Sequence, residues 1–224
     1  RVWLPFVLIL LCGAGFVVGY YTIPAVSQAC EHVTRLKQRF GYGFSAVGGL
    51  VAGVVIPELF KRLTLPGHRI LPRLGELFMD AIYFVAMALM VDTLYRVLGW
   101  MFGEEPDFRT VVAKTLIDQF VFTPTFGTAI AAVYFPLRKS GWDFQRVLRG
   151  FGWGWYVRTV LPILLPAWVF WIPAVAMIYS LPPLLQMPFS LCVTAAWSLL
   201  LIVIARRERS EQVQRLAEAE AYHR

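Results

Sequence analysis

The chain is poor in charge, in cysteine and in histidine, and each shortage removes a class of protein. Only 16% of its 224 residues are Asp, Glu, Lys or Arg, whereas a soluble domain carries about 25%. Apolar residues make up 58% and the mean hydropathy is +0.61. A water-soluble globular domain is excluded, and an integral membrane protein is implied. The three cysteines form no CxxC pair: Cys12 and Cys192 fall inside apolar runs and Cys30 in a loop. They offer neither a disulfide framework nor a thiolate metal motif. His32, His68 and His223 are far apart in sequence, so a metal site has no support. There is no HExxH, no phosphate-cradling glycine loop and no nucleophile–base pair. The sequence therefore names no catalytic centre, no metal and no cofactor.

Long apolar runs are plentiful. Residues 2–23, 42–60, 77–102, 114–136, 159–180 and 184–205 are each long enough, at about 1.5 Å per helical residue, to cross a hydrocarbon layer of ~30 Å. The expected fold is an all-α, polytopic membrane helix bundle of about six spans, several of them kinked by proline. Residues 1–23 form an extra N-terminal span, 24–205 the bundle, and 206–224 a charged tail. In that tail Val213, Leu216, Ala217 and Glu220 recur at the spacing of a short exposed helix. Residues 24–41 are polar and read as a short surface helix. Gly15 with Gly19, and Gly49 with Gly53, make small-xxx-small faces suited to close helix packing. Pro162, Pro166 and Pro173 interrupt the fifth run and leave open whether it crosses fully.

The net charge of +7 lies in short loops between apolar runs, not on one basic face, which argues for oriented topology and against nucleic acid. With six spans both termini share a side. Arg1, Lys61, Arg62, Arg69, Arg73, Arg138, Lys139, Arg146, Arg149, Arg158, Arg206, Arg207, Arg209, Arg215 and Arg224 fall on it, fifteen in all. Arg35, Lys37, Arg39 and Arg109 make four on the other. The positive-inside rule then puts both termini in the cytosol-equivalent or matrix-like compartment. Arg62, Arg69, Arg73, Lys139, Arg146 and Arg149 stand in basic loops. Trp142, Trp153, Trp155 and Tyr156 beside the second loop suit the headgroup level. These loops could hold anionic headgroups such as cardiolipin, ordinary topology charge being the alternative.

Polar residues inside the spans are the functional candidates, because lipid tolerates them poorly. Asp80 and Asp92 lie twelve apart in the third run, about 120° off a shared face at roughly 100° per residue. The fourth run opens KTLIDQFVFTP, placing Lys114 and Asp118 one helical turn apart with Gln119 alongside. Pro124 lacks an N–H, so in an α-helix the Phe120 carbonyl loses its partner, and Gln119, Thr123 or a neighbouring helix must supply a donor. Two uses are open to this face: gluing helices together, or lining a water-filled path.

The run Lys114-xxx-Asp118-Gln119-xxxx-Pro124 resembles a motif of the Mpv-seventeen / peroxisomal membrane protein family. Tyr95-xx-Leu98 and Gly103 precede it at a similar distance. Gly141-Trp142 and Trp168-xx-Trp171-x-Pro173, with Tyr179, Pro183 and Trp197, look like a weaker form of the family's C-terminal signature. The resemblance covers residues 92–205. Val175, Ile178 and Met187 stand where the family carries polar residues, and residues 2–23 have no counterpart in it. The resemblance implies a small non-catalytic organelle membrane protein, some relatives being associated with solute-permeable pores. The mitochondrial inner membrane is the organelle it favours, and a start at Arg1 fits removal of a transit peptide. The alternative is an accessory structural subunit of a larger membrane complex, for example a respiratory one. The partners implied are the bilayer, other subunits or further copies of the chain.

Overall fold

In a computed structural model of the chain, residues 3–64, 74–149 and 151–222 are described. Arg69 and Arg73 lie outside the described residues, as does the side chain of Arg146. Every regular element among the described residues is helical: α1 (Trp3–Thr22), α2 (Pro24–Phe40), α3 (Tyr42–Leu50), α4 (Ile56–Thr64), α5 (Leu74–Phe102), α6 (Phe108–Ile117), α7 (Thr128–Lys139), α8 (Phe144–Leu148), α9 (Trp153–Thr159), α10 (Leu161–Tyr179) and α11 (Pro183–Tyr222). Two π-helical segments, Val51–Val55 and Asp118–Gly127, join α3 to α4 and α6 to α7 without a break. The result is a membrane helix bundle of six spans: Leu4–Thr22, Tyr42–Thr64, Leu74–Phe102, Phe108–Lys139, Leu161–Tyr179 and Pro183–Arg206.

The bundle buries one set of apolar side chains and turns another outward. Leu98, Phe170, Ala174, Ile178, Tyr179 and Leu181 are fully buried, while Leu4, Leu11, Val47, Leu63 and Phe78 are exposed, as lipid contact requires. The first span belongs to this core. Phe6 meets Phe170 and Trp197 edge-on at 6.0 and 5.8 Å, and Phe16 stacks on Phe189 at 5.2 Å. The Trp171 ring packs edge-on against Trp197 at 5.8 Å.

Span two meets span three through glycine. A methyl at Gly49 would stand 2.5 Å from the Ala88 Cβ and 2.7 Å from the Phe84 carbonyl oxygen, so the two backbones touch. Gly53 faces the Phe84 ring and Gly48 faces Leu191 of α11. On α1 the two glycines of the expected packing face differ: Gly19 is buried beside Val26 of α2, and Gly15 is exposed. Nothing lies within 4 Å of Gly15, and Gly19 makes only ordinary contact with Val26 and Ile23. Gly13 meets α10 and α11 more closely, against Met177 and Phe189. Residues 13 and 15 point to opposite sides of a helix, and the aromatic side is the one that wins the core.

Three further expectations change. Cys30 is helical, not in a loop: it is buried on the inner face of α2. The fifth run is one unbroken helix of 19 residues, long enough at about 28 Å to cross. Pro162 sits in its first turn, where no intrahelical donor is required, and Pro166 and Pro173 are accommodated inside. The tail is not a separate helix, because α11 runs 40 residues without interruption from the sixth span.

Candidate functional site

Polar side chains gather inside the bundle at three places. The first ties the surface helix α2 to the spans. Lys37 is 3% exposed and uses all three of its donors: on Asp92 Oδ2 at 2.5 Å, on Ser45 Oγ at 2.7 Å and on the Gly41 carbonyl at 3.1 Å. The Ser45 hydroxyl donates to the same carboxylate oxygen at 2.7 Å. Arg96 approaches Asp92 Oδ1 at 3.5 Å and lies over the Tyr42 ring at 4.5 Å. Burial lowers the Lys37 ammonium from its ordinary range, and Asp92 opposes that shift. From sequence Lys37 is a topology charge on a short surface helix. Its signal was the shared face: Cys30 and Lys37 are seven apart, two helical turns, and both are buried.

The second place is the fourth span. Asp118 is buried and filled with neutral donors. Tyr179 Oη donates to Oδ2 at 2.8 Å, while Gln119 Nε2 and Thr123 Oγ1 donate to Oδ1 at 2.9 and 3.4 Å. Lys114, one turn earlier, is buried beside them, its ammonium 5.9 Å from the centre of the Tyr179 ring. No ion pair joins Lys114 to Asp118 among the described residues. Tyr95 stands edge-on to Tyr179 at 5.3 Å and donates to Ser190 Oγ at 3.0 Å.

The π-helical register explains how Pro124 is tolerated. In an i→i−5 ladder the missing proline N–H is owed to Gln119, not to Phe120 as α-helical spacing predicts. The Gln119 carbonyl receives instead the indole N–H of Trp168, from α10, at 3.0 Å. Tyr156 Oη caps the Pro124 carbonyl at 3.0 Å. The same register stacks Thr123 over Asp118, five residues apart, which an α-helix would set well apart. Trp168→Phe should cost about 1–3 kcal/mol, the penalty of an unsatisfied buried carbonyl. Adding Pro124→Ala returns a backbone donor and should recover much of that loss. A thermal-unfolding cycle over the four proteins measures the coupling, and strictly additive losses would contradict this assignment.

The third place is near the terminal side. Arg138 Nη2 reaches Asp80 Oδ2 at 2.8 Å and Glu76 Oε2 at 3.8 Å, and Tyr134 Oη donates to Asp80 Oδ1. Asp80 and Asp92 thus serve separate clusters, as their angular offset predicts. Arg138, read as a topology charge, is the partner that sequence alone left unassigned. Of the basic loop residues, Arg62 pairs with Glu58 at 3.8 Å, while Lys139 and Arg149 are exposed.

The chain matches no protein-family model, no curated protein and no solved structure. Among the described residues no group of His, Cys, Asp and Glu is arranged to hold a metal ion.

Proposed function

We propose that the chain is a non-catalytic small-solute pathway protein of an organelle membrane, with its selective site on the fourth span between Lys114 and Pro124. The observation that carries this reading is the buried pair Asp118 and Gln119 at the start of a ten-residue π-helical segment, with Lys114 buried one turn before it. Such segments concentrate at functional sites, and buried ionisable groups inside spans are costly unless used. The likeness of KTLIDQFVFTP to the Mpv-seventeen / peroxisomal membrane protein family points the same way. The mitochondrial inner membrane, with both termini on the matrix-like side, fits the family and the distribution of Lys and Arg.

In this arrangement the path is closed by the bonds from Tyr179, Gln119 and Thr123 to Asp118. Bonds to a charged acceptor exceed neutral ones by about 1 kcal/mol each. Asp118→Asn should therefore loosen the closure and raise solute flux roughly fivefold or more in reconstituted vesicles. No flux from either protein would sink the reading.

The accessory-subunit alternative is favoured by two other features. The Gly15 side of α1 is open, and α11 continues beyond the sixth span. The open side of α1 offers a surface to a neighbouring subunit or a second copy. Migration in a large complex of fixed stoichiometry after mild detergent extraction would select that alternative. Exposed Lys139 and Arg149 leave cardiolipin a subordinate partner.

A further inference from the structure

We infer that the buried site on the fourth span holds a small oxyanion carrying one protonated oxygen, and that the pathway is anion-selective; the selectivity rests on the pathway reading above, the binding site does not. The argument starts from which buried groups are already used. Asp80 is taken by Arg138 and Tyr134, and Asp92 by Lys37, Ser45 and Arg96. Asp118 is taken by Tyr179, Gln119 and Thr123. Each of these acids is thus already engaged by donors of the protein. Lys114 is the reverse case. It is 2% exposed, and none of its three donors has a hydrogen-bond or ion-pair acceptor among the described residues. Glu104 and Asp107 act on it only as distant charges.

Two further side-chain atoms of the same stretch lack partners among the described residues. The Thr115 hydroxyl and Gln119 Oε1 are buried and unbonded, on residues 7% and 2% exposed. The orientation of the Gln119 amide is fixed by chemistry, because the atom 2.9 Å from the Asp118 carboxylate must be the nitrogen that donates to it. Oε1 is therefore an acceptor in need of a proton. Thr115 and Gln119 are four apart and so share one helical face, where an oxyanion can make a hydrogen bond at each. Lys114 and Thr115 supply donors to its oxygens, and Gln119 Oε1 accepts from the protonated one. Chloride has no proton to give and fits less well. An anion there would also pair the Lys114 ammonium, which has no acceptor among the described residues.

The probe is inorganic phosphate, with chloride at equal ionic strength as control. Phosphate should raise the unfolding midpoint of the detergent-solubilised full chain, as any ligand selective for the folded state does, and chloride should not. Lys114→Gln and the nearly isosteric Thr115→Val should each lose the phosphate effect. In reconstituted bilayers under a potassium phosphate gradient, the wild-type reversal potential should lie on the anion side. Lys114→Gln should move it to zero or beyond, and Asp118→Asn should keep its sign. Phosphate stabilisation without flux would defeat the pathway reading and the selectivity and leave the oxyanion site standing. Flux that is cation-selective, or phosphate stabilisation that survives both Lys114→Gln and Thr115→Val, would overturn the inference. Absence of both flux and phosphate stabilisation would overturn site and pathway together.

Discussion

Replacing Lys37 by Met should destabilise the bundle by about 3–5 kcal/mol, the usual consequence of removing one partner of a buried ion pair. The variant leaves Asp92 buried with only the Ser45 hydroxyl and the half-exposed Arg96 guanidinium. It also frees the Gly41 carbonyl, and so the turn that carries α2 into the second span. For a chain of this size the unfolding midpoint in detergent should fall by roughly 6–20 °C. Replacing both residues, Lys37→Met with Asp92→Leu, should recover most of the loss, since an apolar pair of similar volume is often as stable as a buried ion pair. A double variant as damaged as the sum of the two singles would mean that Lys37 and Asp92 do not act as a unit.

Gly49→Leu should be the most damaging change in the second span. The nearest atoms are the backbone oxygen of Phe84 and the Cβ of Ala88, and neither can rotate away. The two spans must part, at a cost of about 3 kcal/mol or more. Gly15→Leu serves as the matched control, because nothing lies within 4 Å of that position. Thermal unfolding of both variants in the same detergent decides the matter. Equal loss at Gly15 and Gly49 would contradict the packing described for α3 against α5.

The span count was legible because six apolar runs, each nearly the length of a bilayer, leave little else for the chain to be. The polar face at Lys114, Asp118 and Gln119 was legible because charge inside such a run stands out. What remained hidden depended on partners distant in sequence. Lys37 and Asp92 are 55 residues apart, and Tyr134 and Asp80 are 54 apart. No local pattern announces such pairings. The helical register was hidden as well. Spacing arguments assume 3.6 residues per turn, and the π-helical segment at Asp118–Gly127 does not keep it. That is why the carbonyl left free by Pro124 was assigned one residue too late. The continuity of α11 was obscured by the abrupt change from apolar to charged composition near Arg206, which reads as a boundary although a helix backbone is indifferent to it.

The π-helical segment also makes the fourth span sensitive to its own residue count. A wider turn is what an α-helix adopts when it carries a surplus residue, so the segment works as a phase shifter between the two halves of one rod. Upstream, Lys114 and Asp118 face Tyr179; downstream, Tyr134 and Arg138 face Asp80. Losing one residue between them would let the rod relax toward ordinary winding and rotate the downstream half by about 100°. One half would then hold its partners while the other turned its aromatic and cationic groups toward lipid. A length change in this stretch would thus need a compensating change elsewhere in the same helix.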